Sequence, residues 1–193
     1  MQDWTGNSGF FRHGNNRNEV SAAYDYYATE PKATEILLEN EKFQNVIFEP
    51  AAGEGHISKV LKRAGYTVVT SDIVARGESL DFIQDFFDIH YLSDGVDIIT
   101  NPPYKYALEF CQHGLSLLKP NGKLALFLKL TFLEGKKRKE LFSEYPPKVV
   151  YVFSSRVCCG KNGVFNPKEN AVAYAWFIWE QGYKGETVIK WVN

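Results

Sequence analysis

Two spacings of apolar residues take turns along the chain. Compact apolar runs at Val46-Ile47-Phe48, Thr67 to Ser71, Val96 to Thr100, Leu124 to Leu130 and Val149 to Phe153, bounded by polar turns, predict strands. Between them the spacing lengthens to that of a helix. Pro31 opens a helix running to Asn40 with Ala33, Ile36 and Leu37 on one face, and His56 to Ala64 forms a second. Ala107, Leu108, Cys111, Leu115 and Leu118 mark a third, and Glu134 to Tyr145 a charged fourth that ends at Pro146-Pro147. Leu80 to Phe87 reads as a further strand or its approach. Ala171 to Trp179 and Thr187 to Val192 read as a terminal hairpin joined through Gln181 to Gly185, its last strand antiparallel to its neighbours. Strands that alternate with helices predict an α/β protein built on an open sheet.

Met1 to Ala23 shows neither period. It is rich in Asn, Gly and Arg with Trp4, Phe10 and Phe11 interspersed, which predicts a loosely ordered arm before a single domain over residues 24–193. A chain of 193 residues with 45% hydrophobic and 15% aromatic content can bury one sizeable core. It has no segment long and apolar enough to span a membrane, and its start is neither basic nor apolar enough for a secretory leader, so a cytoplasmic location is expected. Cys111, Cys158 and Cys159 lack metal-ligand spacing and are read as reduced and structural. The four histidines form no ligand pattern, and no metal is expected.

Candidate chemistry concentrates where strands end, which is where open α/β sheets keep it. The run Val96-Asp97-Ile98-Ile99-Thr100 passes directly into Asn101-Pro102-Pro103-Tyr104. Two prolines fix φ and lack N–H groups, so this turn offers carbonyl oxygens and few donors. The amide oxygen of Asn101 and the carbonyl of Pro102 form a paired acceptor site for an –NH2 group, and Tyr104 supplies a flat ring beside it. The plainer reading is a strand that stops at a double proline. Upstream, Val46-Ile47-Phe48 leads into Glu49-Pro50-Ala51-Ala52-Gly53-Glu54-Gly55, a turn of little bulk where a ligand can lie at a helix N-terminus. The following strand ends in Asp72, with Ile73 beyond it, where dinucleotide-type folds bind ribose hydroxyls. Position 58 is Ser58, so the full Gly-x-Gly-x-x-Gly is missing, which weighs against an NAD oxidoreductase.

Glu49 to Gly55 together with Asn101-Pro102-Pro103-Tyr104 resembles the S-adenosylmethionine-dependent amino-methyltransferases, most closely the adenine-N6 DNA methyltransferases. The resemblance runs from about Tyr24 to the C-terminal strands. It implies a Rossmann-like, mostly parallel sheet of seven strands with one antiparallel strand near the C-terminus and helices on both faces. It implies S-adenosyl-L-methionine as cofactor, with Glu49, Pro50, Ala51, Gly53 and Gly55 at its methionine portion, Asp72 at the ribose, Asp85 and Phe86 at the adenine ring, and Ile73 also among the cofactor-binding residues. An upstream aromatic and Thr-Pro element usually meets the cofactor carboxylate. Here it reads Tyr26-Tyr27-Ala28-Thr29-Glu30-Pro31, so Tyr27 and Thr29 are the matching positions, with Glu30 inserted between Thr and Pro. Catalytic roles fall to Asn101, Pro102, Pro103 and Tyr104. The implied reaction is methyl transfer to an exocyclic amine, with adenine N6 of DNA as the leading acceptor.

Other readings stay open. A protein glutamine amide or an RNA base could replace DNA, because the release-factor glutamine methyltransferases share the Asn-Pro-Pro-Tyr turn. A non-catalytic cofactor-binding module is the reading from another class. A net charge of -1 and a pI near 6.4 argue against a broad nucleic-acid footprint, so any such contact is local. Lys136, Lys137 and Arg138 in the fourth helix, and Arg156 and Lys161 in the loop from Ser154 to Asn170, are the candidates for it. A solvated helix face explains the helical run equally well. No separate target-recognition domain is expected within these 193 residues.

Overall fold

The computed structural model describes residues 27–76, 79–161, 163–165 and 172–193. The arm expected over Met1 to Ala23 lies outside them. In chain order the elements are β1 (Tyr27–Thr29), α1 (Pro31–Asn40), β2 (Val46–Glu49), α2 (His56–Arg63), β3 (Thr67–Asp72), β4 (Phe82–Ile83), β5 (Val96–Thr100), α3 (Ala107–Leu117), β6 (Lys123–Lys129), α4 (Lys136–Glu144), β7 (Val149–Phe153), β8 (Cys159–Lys161), β9 (Tyr174–Glu180) and β10 (Val188–Val192). No helix among the described residues is long and apolar enough to cross a membrane.

Eight strands form one sheet in the order β10-β7-β9-β6-β5-β2-β3-β4, and β1 pairs antiparallel with β8 in a separate two-stranded sheet. Neighbouring residues on the central strands feed opposite layers. Ile98, Leu126 and Phe177 belong to a core cluster shared with Phe110 and Leu115 of α3 and Leu141 of α4. Ile99, Phe127 and Trp176 belong to a second shared with Ala33, Ile36 and Leu37 of α1 and Ile57 and Leu61 of α2. A strand residue turns its side chain to alternate faces, so runs such as Leu-Ala-Leu-Phe-Leu are buried on both sides and need helices on both. The indole N–H of Trp176 donates to the carbonyl of Ala33 at 2.8 Å and anchors α1 to its face.

The expected mostly parallel sheet with one reversed strand is present, with eight strands where seven were expected. The reversed strand is not the last one, and the terminal hairpin does not form. β9 lies antiparallel between β6 and β7, whereas β10 pairs parallel with β7 at the sheet edge. Tyr174 to Trp179 are buried without a break, so β9 is stable only inside the sheet with both edges paired. That leaves β10 the free edge of β7. The element read over Leu80 to Phe87 as a strand or its approach, β4, is short. It comprises Phe82–Ile83 alone, and a single 3-10 turn over Phe86–Asp88 replaces its second half. The charged helix starts at Lys136, two residues later than predicted, because Gly135 takes φ 109° before it.

At the N-terminal end of the sheet, Asp97 accepts from the main-chain N–H groups of Gln44 (2.6 Å) and Lys123 (2.7 Å), tying the entries of β2 and β6 to β5. Burial raises its pKa and these two bonds oppose the rise. The opposite edge is thereby free to carry the loops after β2, β3 and β5.

Candidate active site

The parallel pairing of β2 with β3 and with β5 brings the three predicted strand ends to one edge. Gly53 at φ 55° and Gly55 at φ 74° bend the loop after β2, and Gly55 is the residue from which α2 starts. Asp72 holds that loop in place. One of its carboxylate oxygens accepts from the N–H of Gly53 at 2.9 Å and the other from Val74 at 3.0 Å, which leaves each oxygen with further acceptor capacity. Ile73, next to it, is 55% exposed.

Glu49 is the least comfortable group in the loop. Only 1% of it is exposed, and its Oε2 has no hydrogen-bond partner among the described residues. Burial holds its carboxyl well above the usual range, against the pull of Ser58. Pro50, buried, and Ala51, half-buried, carry the chain from this carboxyl into the glycine turn.

The Asn101 amide shows which way it faces through its partners. Its nitrogen donates to the carbonyl oxygen of Tyr27 at 2.7 Å and to Oγ1 of Thr29 at 3.0 Å. A carbonyl oxygen only accepts, so the nitrogen must face β1 and the oxygen must face away from it. That oxygen, Oδ1, is buried and unpartnered among the described residues. Pro102 is buried and Pro103 exposed, and the Pro103 carbonyl accepts from Tyr106, which turns the chain into α3.

Tyr104 is packed more tightly than a free stacking surface. Its hydroxyl donates to Sγ of Cys159 at 3.1 Å. Its ring lies 5.4 Å from that of Tyr27 and 5.9 Å from that of Tyr174, and the Lys129 ammonium sits 4.5 Å from its centre. Tyr27 is the more open of the neighbouring rings, at 39% exposure.

Not every candidate converges here. The ring of Phe86 is 2% exposed and packs against Phe48, Phe110 and His113, so its side chain belongs to the core. Asp85 accepts from the N–H of Phe87 at 3.0 Å and caps the short turn. On α4, Lys136 and Lys137 are exposed, whereas Arg138 folds back onto the carbonyl of Glu134 and the ring of Phe132. Lys136 and Lys139 line a groove of about 550 Å³ floored by Leu133 and Phe142. Arg156 is exposed. Lys161 lies on β8, with its side chain outside the described part, as is Asn162.

Sequence reasoning missed Cys159, Tyr174 and Lys129, which surround Tyr104, and the role of Glu30. The Glu30 carboxylate accepts from the N–H of Cys158 at 2.8 Å and its own N–H donates to the Cys158 carbonyl at 3.2 Å. The residue inserted between Thr29 and Pro31 thus clips β8 onto β1. Its departure from the Thr-Pro pattern was the available signal. All three cysteines are free, Cys159 half-buried and the other two buried. Among the described residues no group of three or more His, Cys, Asp or Glu is placed to hold a metal.

This arrangement of sheet, helices and strand-end loops is the fold of S-adenosylmethionine-dependent methyltransferases. A methyltransferase of that type from Thermotoga maritima, an O-methyltransferase, superposes with a TM-score of 0.53 at 13% identity over 88% of this chain and 72% of its own. The M protein of the type I restriction enzyme EcoKI gives 0.57 at 16% identity over 82% of this chain and 44% of its own. A chain of a type I restriction–modification system gives 0.54 at 15% over 93% and 46%. The chain therefore spans under half the length of the two restriction–modification chains. No family profile and no curated protein matches its sequence.

Proposed function

We propose that this protein is an S-adenosylmethionine-dependent N-methyltransferase whose leading acceptor is adenine N6 in DNA. The observation that carries the reading is the Asn101 amide, with its nitrogen tied to β1 and its oxygen buried and unpartnered. A buried acceptor without a donor is costly, and an incoming –NH2 group relieves that cost. An oxygen held this way accepts a hydrogen and offers none, which suits an amine or amide nitrogen and disfavours a nucleophile without a hydrogen to donate.

The residues around the glycine loop fit the cofactor. The unpartnered carboxylate oxygen of Glu49 suits an ammonium group, the free lone pairs of Asp72 suit a ribose diol, and exposed Ile73 suits the flank of a flat base. When bound, the cofactor supplies a methyl group on a positively charged sulfur, which is electrophilic without help from the protein. The work of the chain is then to place and orient. Asn101 Oδ1 and the Pro102 carbonyl would take the two amine hydrogens, favouring a pyramidal nitrogen whose lone pair faces the methyl group. A base from duplex DNA would have to leave the stack to reach them.

The acceptor class follows from the resemblance of the Asn101 turn, and the EcoKI M protein, which shares the fold, belongs to a type I restriction enzyme. The exposed Lys136, Lys137 and Lys139 and the groove beside them supply a local phosphate contact in a chain of almost zero net charge. Asn101→Ala should bind the cofactor as the wild type does, by calorimetry, and lose methyl transfer to single-stranded DNA by more than about a hundredfold. Parallel arms with RNA and with protein acceptors decide the substrate class. Transfer that survives the substitution on every acceptor removes Asn101 from the reaction.

A further inference from the structure

The small sheet of β1 and β8 is separate from the main sheet and touches the Asn101 turn through Tyr27 and through the rung at its other end. Thr29 pairs with Cys159 across it. The hydroxyl of Thr29, a residue 2% exposed, accepts from the Asn101 amide at 3.0 Å. Sγ of Cys159 accepts from the Tyr104 hydroxyl at 3.1 Å and lies 3.8 Å from the same amide nitrogen. Both members of the turn that would meet the acceptor thus bond to this rung, and Asn101 bonds to Tyr27 as well.

We propose that Thr29 and Cys159 are positioning residues for the transfer, Thr29 fixing the plane of the Asn101 amide and Cys159 holding the Tyr104 hydroxyl beside it. This rests on the reading of Asn101 as the acceptor of the substrate amine. The geometric reason is that a single acceptor leaves an amide free to swing about its last torsion, whereas two acceptors on the two hydrogens of one nitrogen fix its plane. The Tyr27 carbonyl supplies the first and Thr29 the second. The lone pairs of Oδ1 then point in one direction. The rung is held independently of the turn, because Glu30 bonds to both the N–H and the carbonyl of Cys158. Burial keeps the Cys159 thiol protonated, with its pKa pushed up to about 11, so it acts as a neutral acceptor at physiological pH. The resemblance places Thr29 at the cofactor carboxylate. In the structure its hydroxyl accepts from Asn101, a bond that leaves the O–H able to donate.

The test uses isosteric changes in the full chain. Thr29→Val should lower kcat about tenfold or more with the cofactor Kd unchanged, and Thr29→Ser, which restores the acceptor, should return kcat to within about twofold of wild type. Cys159→Ala and Tyr104→Phe should each lower kcat, and the double variant should be no worse than either alone. In parallel, the side-chain NH2 signals of Asn101, assigned by their loss in Asn101→Asp, are followed by 15N NMR. Thr29→Val should move one of the two proton signals and leave the rest of the spectrum in place. Three results overturn the inference: a rise in cofactor Kd with kcat intact, additive losses for Cys159 and Tyr104, or Asn101 amide signals that ignore the Thr29 change. The NMR readout needs no turnover. A chain inactive on every acceptor with shifted amide signals would sink the proposed reaction and keep the contact, and an active chain with unshifted signals would do the reverse.

Discussion

Replacing Glu49 with Gln should make the protein more stable and bind the proposed cofactor, S-adenosylmethionine, less well. The residue is 1% exposed and one of its carboxylate oxygens has no partner among the described residues. In the unfolded chain the carboxyl ionises at its ordinary pKa of 4.5, whereas in the fold burial raises that value well above it. A raised folded pKa means that the neutral form is favoured in the folded state. The contribution of Glu49 to stability is thus fully present below pH 4.5 and is lost as pH rises through the folded value. Glutamine has the same shape and no charge to desolvate. A buried, incompletely satisfied charged group costs about 1–3 kcal/mol or more. At about 2–4 °C per kcal/mol for a chain of this size, Tm of the ligand-free variant should exceed wild type by about 2–12 °C at neutral pH. The difference should shrink to nothing near pH 4.

The cofactor should see the opposite effect. An ammonium group beside an ionised carboxylate forms a charge-assisted bond, and losing it costs about 1.5–3 kcal/mol, or roughly tenfold to a hundredfold in Kd. In the wild type the same ionisation makes affinity fall on acidification, beginning above pH 4.5 because the folded pKa is raised. Differential scanning calorimetry across pH 4 to 8 and titration calorimetry with S-adenosylmethionine read the two halves separately. A Glu49→Gln variant whose Tm is lower than wild type by the same amount at every pH would show that the carboxyl is structurally satisfied. An unchanged Kd would show that it faces no cation.

Two further outcomes test the fold and the rim of the site. Phe127→Ala should cost about 3–5 kcal/mol in urea denaturation, because the ring is wholly buried and stacked at 5.2 Å on Tyr174 with Trp176 at 5.0 Å; a loss below about 1 kcal/mol would mean that this layer is not packed as described. The double change of Lys136 and Lys139 to Ala should weaken binding of single-stranded DNA and flatten the slope of log K against log salt by about two; an unaltered slope removes α4 from the nucleic-acid contact.

What could be read from the sequence was whatever local backbone chemistry dictates. A β-rich run that meets two prolines must stop, and a loop with glycines at positions 53 and 55 must turn sharply, so the Asn101 turn, the loop after β2 and Asp72 at the tip of β3 all lie where expected. The failures are pairings between residues far apart. Tyr174 to Glu180 and Val188 to Val192 look like two arms of a hairpin because only seven residues, 181 to 187, separate them. The contradicting signal was present in β9, whose run Ala-Trp-Phe-Ile-Trp is apolar at every position and therefore has no face for water. β10 has four exposed residues in five, as an edge strand should.

The same distinction separates the parts of the site. The atoms that would touch an acceptor lie within four consecutive residues, and their chemistry is visible in the residue types. The atoms that aim them come from β1 and β8, more than fifty positions away on either side, where the resemblance assigns Thr29 to the cofactor and Cys159 looks unremarkable in sequence. An asparagine amide can face either way at almost no intrinsic cost, so the residue type alone leaves the direction of the acceptor oxygen undetermined. Two fixed acceptors on its nitrogen determine it. For a reaction in which the protein supplies orientation more than chemistry, the legible motif specifies what the site can accept, and the pairing of two short distant strands specifies where the accepted group is held.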